Sequence, residues 1–254
     1  GRVLFAVPWH NHVVVGTTDT PLNSHSLEPV ALEQEINFIL KTAGQYLSKP
    51  PAKKDILSIF AGLRPLAAPA KEKGSTKEIS RSHKITVTGS GLLSILGGKW
   101  TTYRKMAEDT INEAIKIGNL PNVTSSTRQI KIHGMGQVPV KQNGAVFELN
   151  GYGSDAAGIS RLILENSLLG KKLTSTCSHR AAEVVWAVRH EMARTLEDVL
   201  ARRLRLLFLD ARTAISIAPF VAHLIAVERQ LDEAWEHEQV ESFRQLAQLY
   251  LPES

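Results

Sequence analysis

The chain has 254 residues, of which 43% are hydrophobic and 22% are charged, and its formal net charge is +5. This composition is typical of a globular protein with a substantial core and excludes a disordered or fibrous chain. The strongest basic cluster, Arg202, Arg203 and Arg205, lies within an apolar helical pattern without a nucleic-acid motif beside it, so no nucleic-acid partner is expected. The single Cys177 fits a reducing compartment.

The chain begins with a predicted β-hairpin. Residues 2–7 and 12–18 read as strands, and a short loop of hairpin length joins them. His10 and His12 form an H-x-H pair that we expect on one face of a strand. Two imidazoles without a nearby cysteine or carboxylate cluster are too few ligands for a metal site, so no metal is expected.

Further helix and strand patterns follow. A helix is predicted from Pro29, which suits a first turn, to Tyr46. Strands are predicted over Ile56–Leu63 and Ile79–Thr88. A glycine-rich turn then leads to a short apolar run at residues 92–96, which predicts a buried strand.

The glycine pair after that run is the most informative local pattern. Gly97 and Gly98 precede Lys99, and apolar residues then recur at helical spacing over residues 101–117. Glycines allow a backbone to approach a flat or anionic ligand, and the free N–H groups that open a helix favour negative charge. The same pattern also suits a tight strand-to-helix connection with a surface lysine.

The second half of the chain is predicted to be helical. The polar stretch from Gly118 to Thr127 predicts a domain boundary, which divides the chain into residues 1–124 and 125–254. Thr195 and Asp198 have the spacing of a capping box. Helical periodicity occupies residues 155–168, 179–192, 196–209, 211–234 and 237–250. The predicted fold class is α+β: a partial sheet domain with mixed or antiparallel strands plus helices, followed by an all-α C-terminal domain.

A glycine motif in the second half is not a dinucleotide site. Residues Gly151 to Ala156 match G-x-G-x-x-A, but a genuine site needs an acidic residue at the end of a second strand about twenty residues later. The sequence at residues 171–174 is Lys-Lys-Leu-Thr. The ADP half of a dinucleotide therefore has no recognisable site in this chain.

Several stretches in the same order resemble the FAD-dependent (aerobic) glycerol-3-phosphate dehydrogenases. They are Val15–Asp19, Ala61–Leu66, Ile79–His83, Gly97–Glu108 and Glu191–Arg203. The resemblance covers nearly the whole chain but lacks the N-terminal third to half of the family. It implies a C-terminal piece of the enzyme, and the start at Gly1 without a methionine is expected of an excised fragment. Residues 1–124 would complete the FAD/substrate-binding domain, and residues 125–254 would form the helical C-terminal domain.

The resemblance also implies residue roles. Arg64 and Arg81 would bind the substrate phosphate, since two guanidinium groups can hold a phosphomonoester through bidentate hydrogen bonds. Lys99 would be a catalytic residue that stabilises negative charge on the reduced flavin. His83 could reach the substrate pocket, although a strand histidine with a structural role is the simpler interpretation. The FAD contacts would come from Gly97, Gly98, Lys99, Trp100, Thr101 and Thr102.

The implied activity is oxidation of sn-glycerol 3-phosphate to dihydroxyacetone phosphate by hydride transfer to FAD, with a quinone or oxygen as electron acceptor. The catalytic base is expected in the missing N-terminal FAD-binding portion. The expected location is the cytoplasm, with peripheral contact to the inner face of the cell membrane as an open alternative. Two other functions stay open: a different flavin-dependent amine or hydroxy-acid oxidase and, for the isolated chain, a non-catalytic helical interaction module. The oxidase alternative would require a carboxylate-binding arginine instead of two phosphate-binding ones.

Overall fold

The structure, a computed structural model, describes residues 4–22, 24, 26–64, 82–136 and 149–252. Within these residues the chain is a mixed α+β protein with small antiparallel sheets, as predicted. The strands are β1 (Phe5–Trp9), β2 (His12–Gly16), β3 (His83–Val87) and β4 (Leu93–Gly97). The helices are α1 (Glu33–Gly44), α2 (Tyr103–Ile117), α3 (Ala156–Glu165), α4 (Ala181–His190), α5 (Leu206–Leu209), α6 (Ala211–Arg229) and α7 (Glu233–Gln248).

The residues group into two compact units. The first, here called the helical unit, combines the residues up to Thr20, residues 24–62 and the residues from Gly134 onwards. The second, here called the glycine-turn unit, includes Leu63–His133. The division expected between residues 124 and 125 stays a prediction.

The core of the helical unit is built around α6. This helix packs against α4, α5 and α7, and its buried residues are mainly alanine, valine and isoleucine, which let the neighbouring helices approach closely. Among the described residues, α6 alone is long and apolar enough to cross a membrane. Helix α6 packs against other helices of the unit, as the core helix of a globular unit does. In the described part of the chain, the largest fully buried side chains are Ile159, Leu196, Leu200, Leu204, Leu207, Ile225, Val184, Val185, Val199 and Val221.

The capping box before α5 is confirmed, but the helix predicted over residues 196–209 is interrupted. The Asp198 N–H donates to Thr195 Oγ1 at 3.1 Å, and the Thr195 N–H donates to Asp198 Oδ2 at 3.0 Å. The capped segment Asp198–Arg203 is a π-helix. Arg205 then adopts a left-handed conformation with φ of 58°, which ends that helix before α5 begins.

The first hairpin places its two histidines differently from the prediction. His10 and Asn11 have φ values of 46° and 62°, the left-handed conformations that a two-residue type I′ turn requires. His10 therefore lies in the turn, whereas His12 begins β2, so the prediction that both share one strand face is wrong. Trp9, at the end of β1, packs against the core of the helical unit.

Three other element predictions need correction. Helix α1 begins at Glu33 instead of Pro29, because the Glu35 carboxylate accepts the Leu32 N–H at 3.0 Å and caps the helix there. The strand predicted over Ile56–Leu63 is wrong, since these residues form no ladder with another strand. The run at residues 92–96 does form a strand, but it is not buried: Leu92 is 63% exposed and Leu96 is 52% exposed. Among the described residues the β3–β4 sheet has two strands, and a two-stranded sheet does not cover the faces of its own strands.

Candidate functional site

The glycine pair forms a turn whose backbone strongly favours glycine. Strand β4 ends at Gly97, and Gly97 and Gly98 have φ values of 71° and 89°. A Cβ atom added to Gly98 would lie 2.4 Å from Met106 Sδ and 3.3 Å from His83 Cβ. The turn therefore needs left-handed backbone and also packs tightly against both α2 and β3.

The residues after the turn start a helix whose first N–H groups have no side-chain cap. Trp100–Thr102 form a single 3-10 turn that continues directly into α2, and neither helix start has a side-chain cap. The Thr102 hydroxyl donates to the Lys99 carbonyl at 2.9 Å, so it stabilises the turn. An uncapped helix start carries partial positive charge and favours an anion or an electron-rich group.

The side chains at this helix start are exposed. Trp100 is 85% exposed and stacks on Tyr103, with 5.4 Å between ring centroids and 25° between ring planes. Lys99 is exposed, and within the described part of the chain no carboxylate pairs with its ammonium group. The turn therefore presents a cation, an aromatic ring and backbone donors together.

Charged residues farther along α2 are paired with one another. Hydrogen bonds from Arg104 and Lys105 lower the pKa of Glu108 to about 2. The hydrogen bond from Lys105 also lowers the pKa of Asp109. His83 Nε2 lies 3.1 Å from Asp109 Oδ2, so His83 has a partner within the unit, in agreement with a structural role.

Only one of the two predicted phosphate ligands, Arg64, lies within the described residues. Arg64 is exposed at the end of the extended segment after Ile56 and belongs to the glycine-turn unit, as Lys99 does. Arg81 lies outside the described residues. The structure thus brings the residues from Gly97 to Thr102 together in one turn and includes Arg64 in the same unit.

The sequence did not indicate how exposed the apolar residues of the glycine-turn unit are. Among its described residues from position 82 to position 133, none is buried. Its exposed large apolar residues include Val87, Leu92, Leu96, Trp100, Tyr103, Ile111, Ile117, Leu120, Val123, Ile130 and Ile132. The apolar content of these segments was visible in the sequence, but burial depends on what packs against them.

A cavity of about 720 Å³ lies on the C-terminal half of α2 and contains none of the predicted site residues. Its polar lining includes Asn112, Lys116 and Arg128.

The G-x-G-x-x-A match in the helical unit has a packing explanation. Gly153 has a φ of 55°, and a Cβ atom there would lie 1.9 Å from the Gly134 carbonyl oxygen. The Ser154 N–H donates to that same carbonyl at 2.9 Å. Gly153 is therefore required for close backbone approach within the unit.

Fold and turn together define an α+β protein in which a glycine turn leads into a helix start that has no side-chain cap. Residues 90–236 match the family model described as the C-terminal domain of alpha-glycerophosphate oxidase. The match includes the glycine turn, α2 and most of the helical unit beyond it, and the chain belongs to this family. The family relationship predicted from the sequence motifs is confirmed.

Known proteins similar to the chain carry related names. This chain is 35% identical over 268 residues to the mitochondrial glycerol-3-phosphate dehydrogenase of Bos taurus. The alignment covers 96% of this chain and 36% of the relative. The chain is 33% identical over 277 residues to the mitochondrial glycerol-3-phosphate dehydrogenase SDP6 of Arabidopsis thaliana, covering 98% of this chain and 44% of the relative. The chain thus spans less than half the length of these two relatives.

A solved structure has the same fold. The glycerol-3-phosphate dehydrogenase of Bacillus halodurans, solved in complex with FAD, aligns with a TM-score of 0.71 and 24% identity. The alignment covers 99% of this chain and 52% of that one. At this identity the similarity establishes the fold.

Proposed function

We propose that this chain is the C-terminal part of a flavoenzyme that oxidises sn-glycerol 3-phosphate to dihydroxyacetone phosphate. The observation that carries the proposal is the family match over residues 90–236, which includes a turn whose backbone geometry favours glycine at Gly97 and Gly98. The names of the relatives supply the substrate. A different flavin-dependent oxidase has no comparable support.

The residues of the turn fit a flavin. Neither glycine has a side chain that would obstruct a flat ring, and the helix start beyond Lys99 has no side-chain cap. FAD, when bound, supplies the ring that accepts the hydride from C2 of the substrate. The residues proposed to hold it are Gly97, Gly98, Lys99, Trp100, Thr101 and Thr102.

The substrate phosphate is assigned to Arg64 and Arg81. Their guanidinium groups would fix the phosphate end of the substrate by charge-assisted hydrogen bonds, which orients C2 for reaction. Lys99 is the proposed catalytic residue in this chain, because an ammonium group beside the helix start stabilises negative charge that develops there. A quinone or oxygen is the proposed electron acceptor.

The rest of the cofactor site is assigned to sequence outside this chain. The relatives are more than twice as long as the aligned region, and we propose that an N-terminal FAD-binding portion supplies the ADP site and the catalytic base. The exposed apolar residues of the glycine-turn unit support such a covering portion. Residues 1–124 would then complete the FAD/substrate-binding domain, with residues 125–254 as its helical C-terminal domain.

The location is also a proposal. The relatives from Bos taurus and Arabidopsis thaliana are named as mitochondrial proteins. For the parent of this chain we propose a cytoplasmic enzyme, with peripheral contact to the inner face of the cell membrane as the alternative. Fractionation of cells that produce the full-length protein tests this, since salt or alkaline washing should release a peripheral protein from membranes.

The test of the function uses the full-length protein that contains this chain. Reduction of an artificial dye should depend on glycerol 3-phosphate, and Lys99→Ala should lower kcat about ten- to a hundred-fold while the flavin content is retained. Lys84→Ala is the matched control, because Lys84 is an exposed lysine on β3 and should leave kcat unchanged. A flavin-containing protein without glycerol 3-phosphate activity would refute the proposed function.

A further inference from the structure

One extended segment of the helical unit has no strand partner among the described residues, yet its backbone is held at several points. Residues 56–60 lie between the α5–α6 corner and the end of α7. The Ala211 N–H donates to the Leu57 carbonyl at 3.1 Å, and the Ile59 N–H donates to the Tyr250 carbonyl at 2.8 Å. Bonds to two separate parts of the helical unit replace the ladder that a strand would have.

Two polar side chains add to this attachment. Arg212 Nη1 donates to the Ile56 carbonyl at 3.0 Å. The Ser58 hydroxyl donates to the Leu207 carbonyl at 2.7 Å. Leu207 is fully buried, so Ser58 ties the segment to the core of the helical unit.

Aromatic rings complete the contact. Phe60 meets Phe208 edge-on with 5.2 Å between ring centroids, and Phe208 meets Tyr250 with 5.6 Å between centroids. Tyr250 is buried, and its hydroxyl donates to Glu28 Oε1 at 2.5 Å. Edge-to-face pairs of this kind stabilise one relative orientation of the rings.

The held segment ends four positions before Arg64. We propose that the helical unit acts on the reaction through this segment, and that Arg212 and Ser58 are positioning residues for the phosphate-binding Arg64. This proposal rests on the proposed function, since it takes Arg64 to be a phosphate ligand. Fixing the backbone that leads into Arg64 reduces the conformational freedom lost when its guanidinium group binds phosphate.

The position of the segment in the chain supports a role in positioning. Residues 56–60 contact regions of the helical unit about 150 to 190 residues later in sequence. An ordinary surface loop would need none of these contacts to remain solvated. The contacts are concentrated on residues 56–60, and the three exposed residues 61–63 join this segment to the predicted phosphate ligand.

Steady-state kinetics on the full-length enzyme test the proposal. Arg212→Ala and Ser58→Ala should each raise KM for glycerol 3-phosphate about three- to tenfold, because the released segment would have to be ordered again when the phosphate binds. The kcat for glycerol 3-phosphate and the kcat/KM for glycerol, which has no phosphate, should change less than twofold. Arg212→Lys and Ser58→Thr keep a donor and should restore most of the lost affinity.

Two matched controls remove the same kind of bond elsewhere. Arg229 Nη1 donates to the Arg194 carbonyl at 2.6 Å, and the Ser216 hydroxyl donates to the Thr213 carbonyl at 2.8 Å. Arg229→Ala and Ser216→Ala should leave KM unchanged. The proposal is overturned if the controls raise KM as much as the test variants, or if the test variants weaken both substrates equally.

Two further measurements separate the possible failures. Arg64→Ala is the reference: if it leaves the preference for glycerol 3-phosphate over glycerol intact, the assignment of Arg64 fails, and this proposal fails with it. If Arg64→Ala removes the preference but Arg212→Ala does not raise KM, only the positioning role fails. Hydrogen exchange provides a readout independent of activity, because Arg212→Ala should accelerate exchange at Ile59 and its neighbours, and unchanged exchange there would contradict the attachment.

Discussion

Individual residues decide both the candidate site and the stability of the helical unit. The sequence was sufficient to predict the Thr195–Asp198 capping box, because the two side chains act on backbone groups three residues apart. It was not sufficient to predict the left-handed conformations of His10 and Arg205. Non-glycine residues adopt that conformation where a tight turn, as at His10, or tertiary packing offsets its cost, and the sequence showed neither the turn type nor the packing.

The phosphate role of Arg64 leads to a first prediction. In the full-length enzyme, Arg64→Ala should raise KM for glycerol 3-phosphate far more than for glycerol. The loss of one charge-assisted hydrogen bond to phosphate costs about 1.5–3 kcal/mol, or about ten- to a hundred-fold in affinity. If steady-state kinetics show an equal loss for both substrates, Arg64 is structural and the phosphate ligands lie elsewhere.

Glu183 leads to a second prediction, on stability. It is only 3% exposed, and its carboxylate accepts hydrogen bonds from the Tyr152 hydroxyl at 3.0 Å and from the Arg180 N–H at 2.6 Å. His179 Nδ1 also lies 2.8 Å from it. Glu183→Ala should lower the free energy of unfolding by about 2–4 kcal/mol, because several partially buried polar groups lose their partner together.

Thermal unfolding followed by circular dichroism measures this effect. Glu241→Ala is the control, since Glu241 is an exposed glutamate on α7 and its loss should change stability by at most about 0.5 kcal/mol. Equal melting temperatures for the Glu183 and Glu241 variants would show that the buried carboxylate is not needed for stability.

Elements could be predicted from sequence where they make their own hydrogen bonds. Helices α3, α4, α6 and α7 follow the apolar periodicity of the sequence, with ends that differ by a few residues. The segment Ile56–Leu63 was predicted as a strand because its apolar character suits one. Its hydrogen-bond partners are Tyr250 and the start of α6, which no local pattern could indicate.

The connection after α2 leads to a prediction about proteolysis. From Leu120 to His133 the described chain forms no helix or strand, and nearly all of it is exposed. Within the described residues, trypsin should therefore cut first near Lys116 or Arg128. The fragment that continues towards the C-terminus should keep its helical circular dichroism and melt cooperatively.

The competing sites are the arginines around α5. Arg203 donates to the Glu191 carbonyl, and Arg202 pairs with Glu197 and Asp198, so the structure holds both residues. Mass spectrometry of the early fragments identifies the first cuts. First cuts at Arg202, Arg203 or Arg205 would contradict a compact helical unit.

At the scale of the whole molecule, the two units differ in how completely they are packed. The helical unit has two clusters of buried apolar side chains, many of which are fully buried. The glycine-turn unit has no buried residue among those described from position 82 to position 133. The sequence predicted a helical half and a turn that resembles the flavin-contacting segment of the family, but it could not show this difference, because burial is a property of the assembled chain.

The difference in packing leads to a prediction for the isolated chain. The chain should fold through its well-packed helical unit. It should bind FAD weakly or not at all, because its sequence has no recognisable ADP site. Purified protein should be colourless and inactive with glycerol 3-phosphate and an artificial dye. A yellow preparation with stoichiometric flavin would show that the residues from Gly97 to Thr102, without an ADP site, are enough to hold the cofactor.

The most direct test of the proposed function is a single turnover of the full-length protein. Under anaerobic conditions, one equivalent of glycerol 3-phosphate should bleach the absorption band of the bound flavin and yield one equivalent of dihydroxyacetone phosphate. Glycerol at the same concentration should leave the band unchanged, because it lacks the phosphate that Arg64 and Arg81 are proposed to bind. Bleaching by both compounds alike, or by neither, would contradict the account.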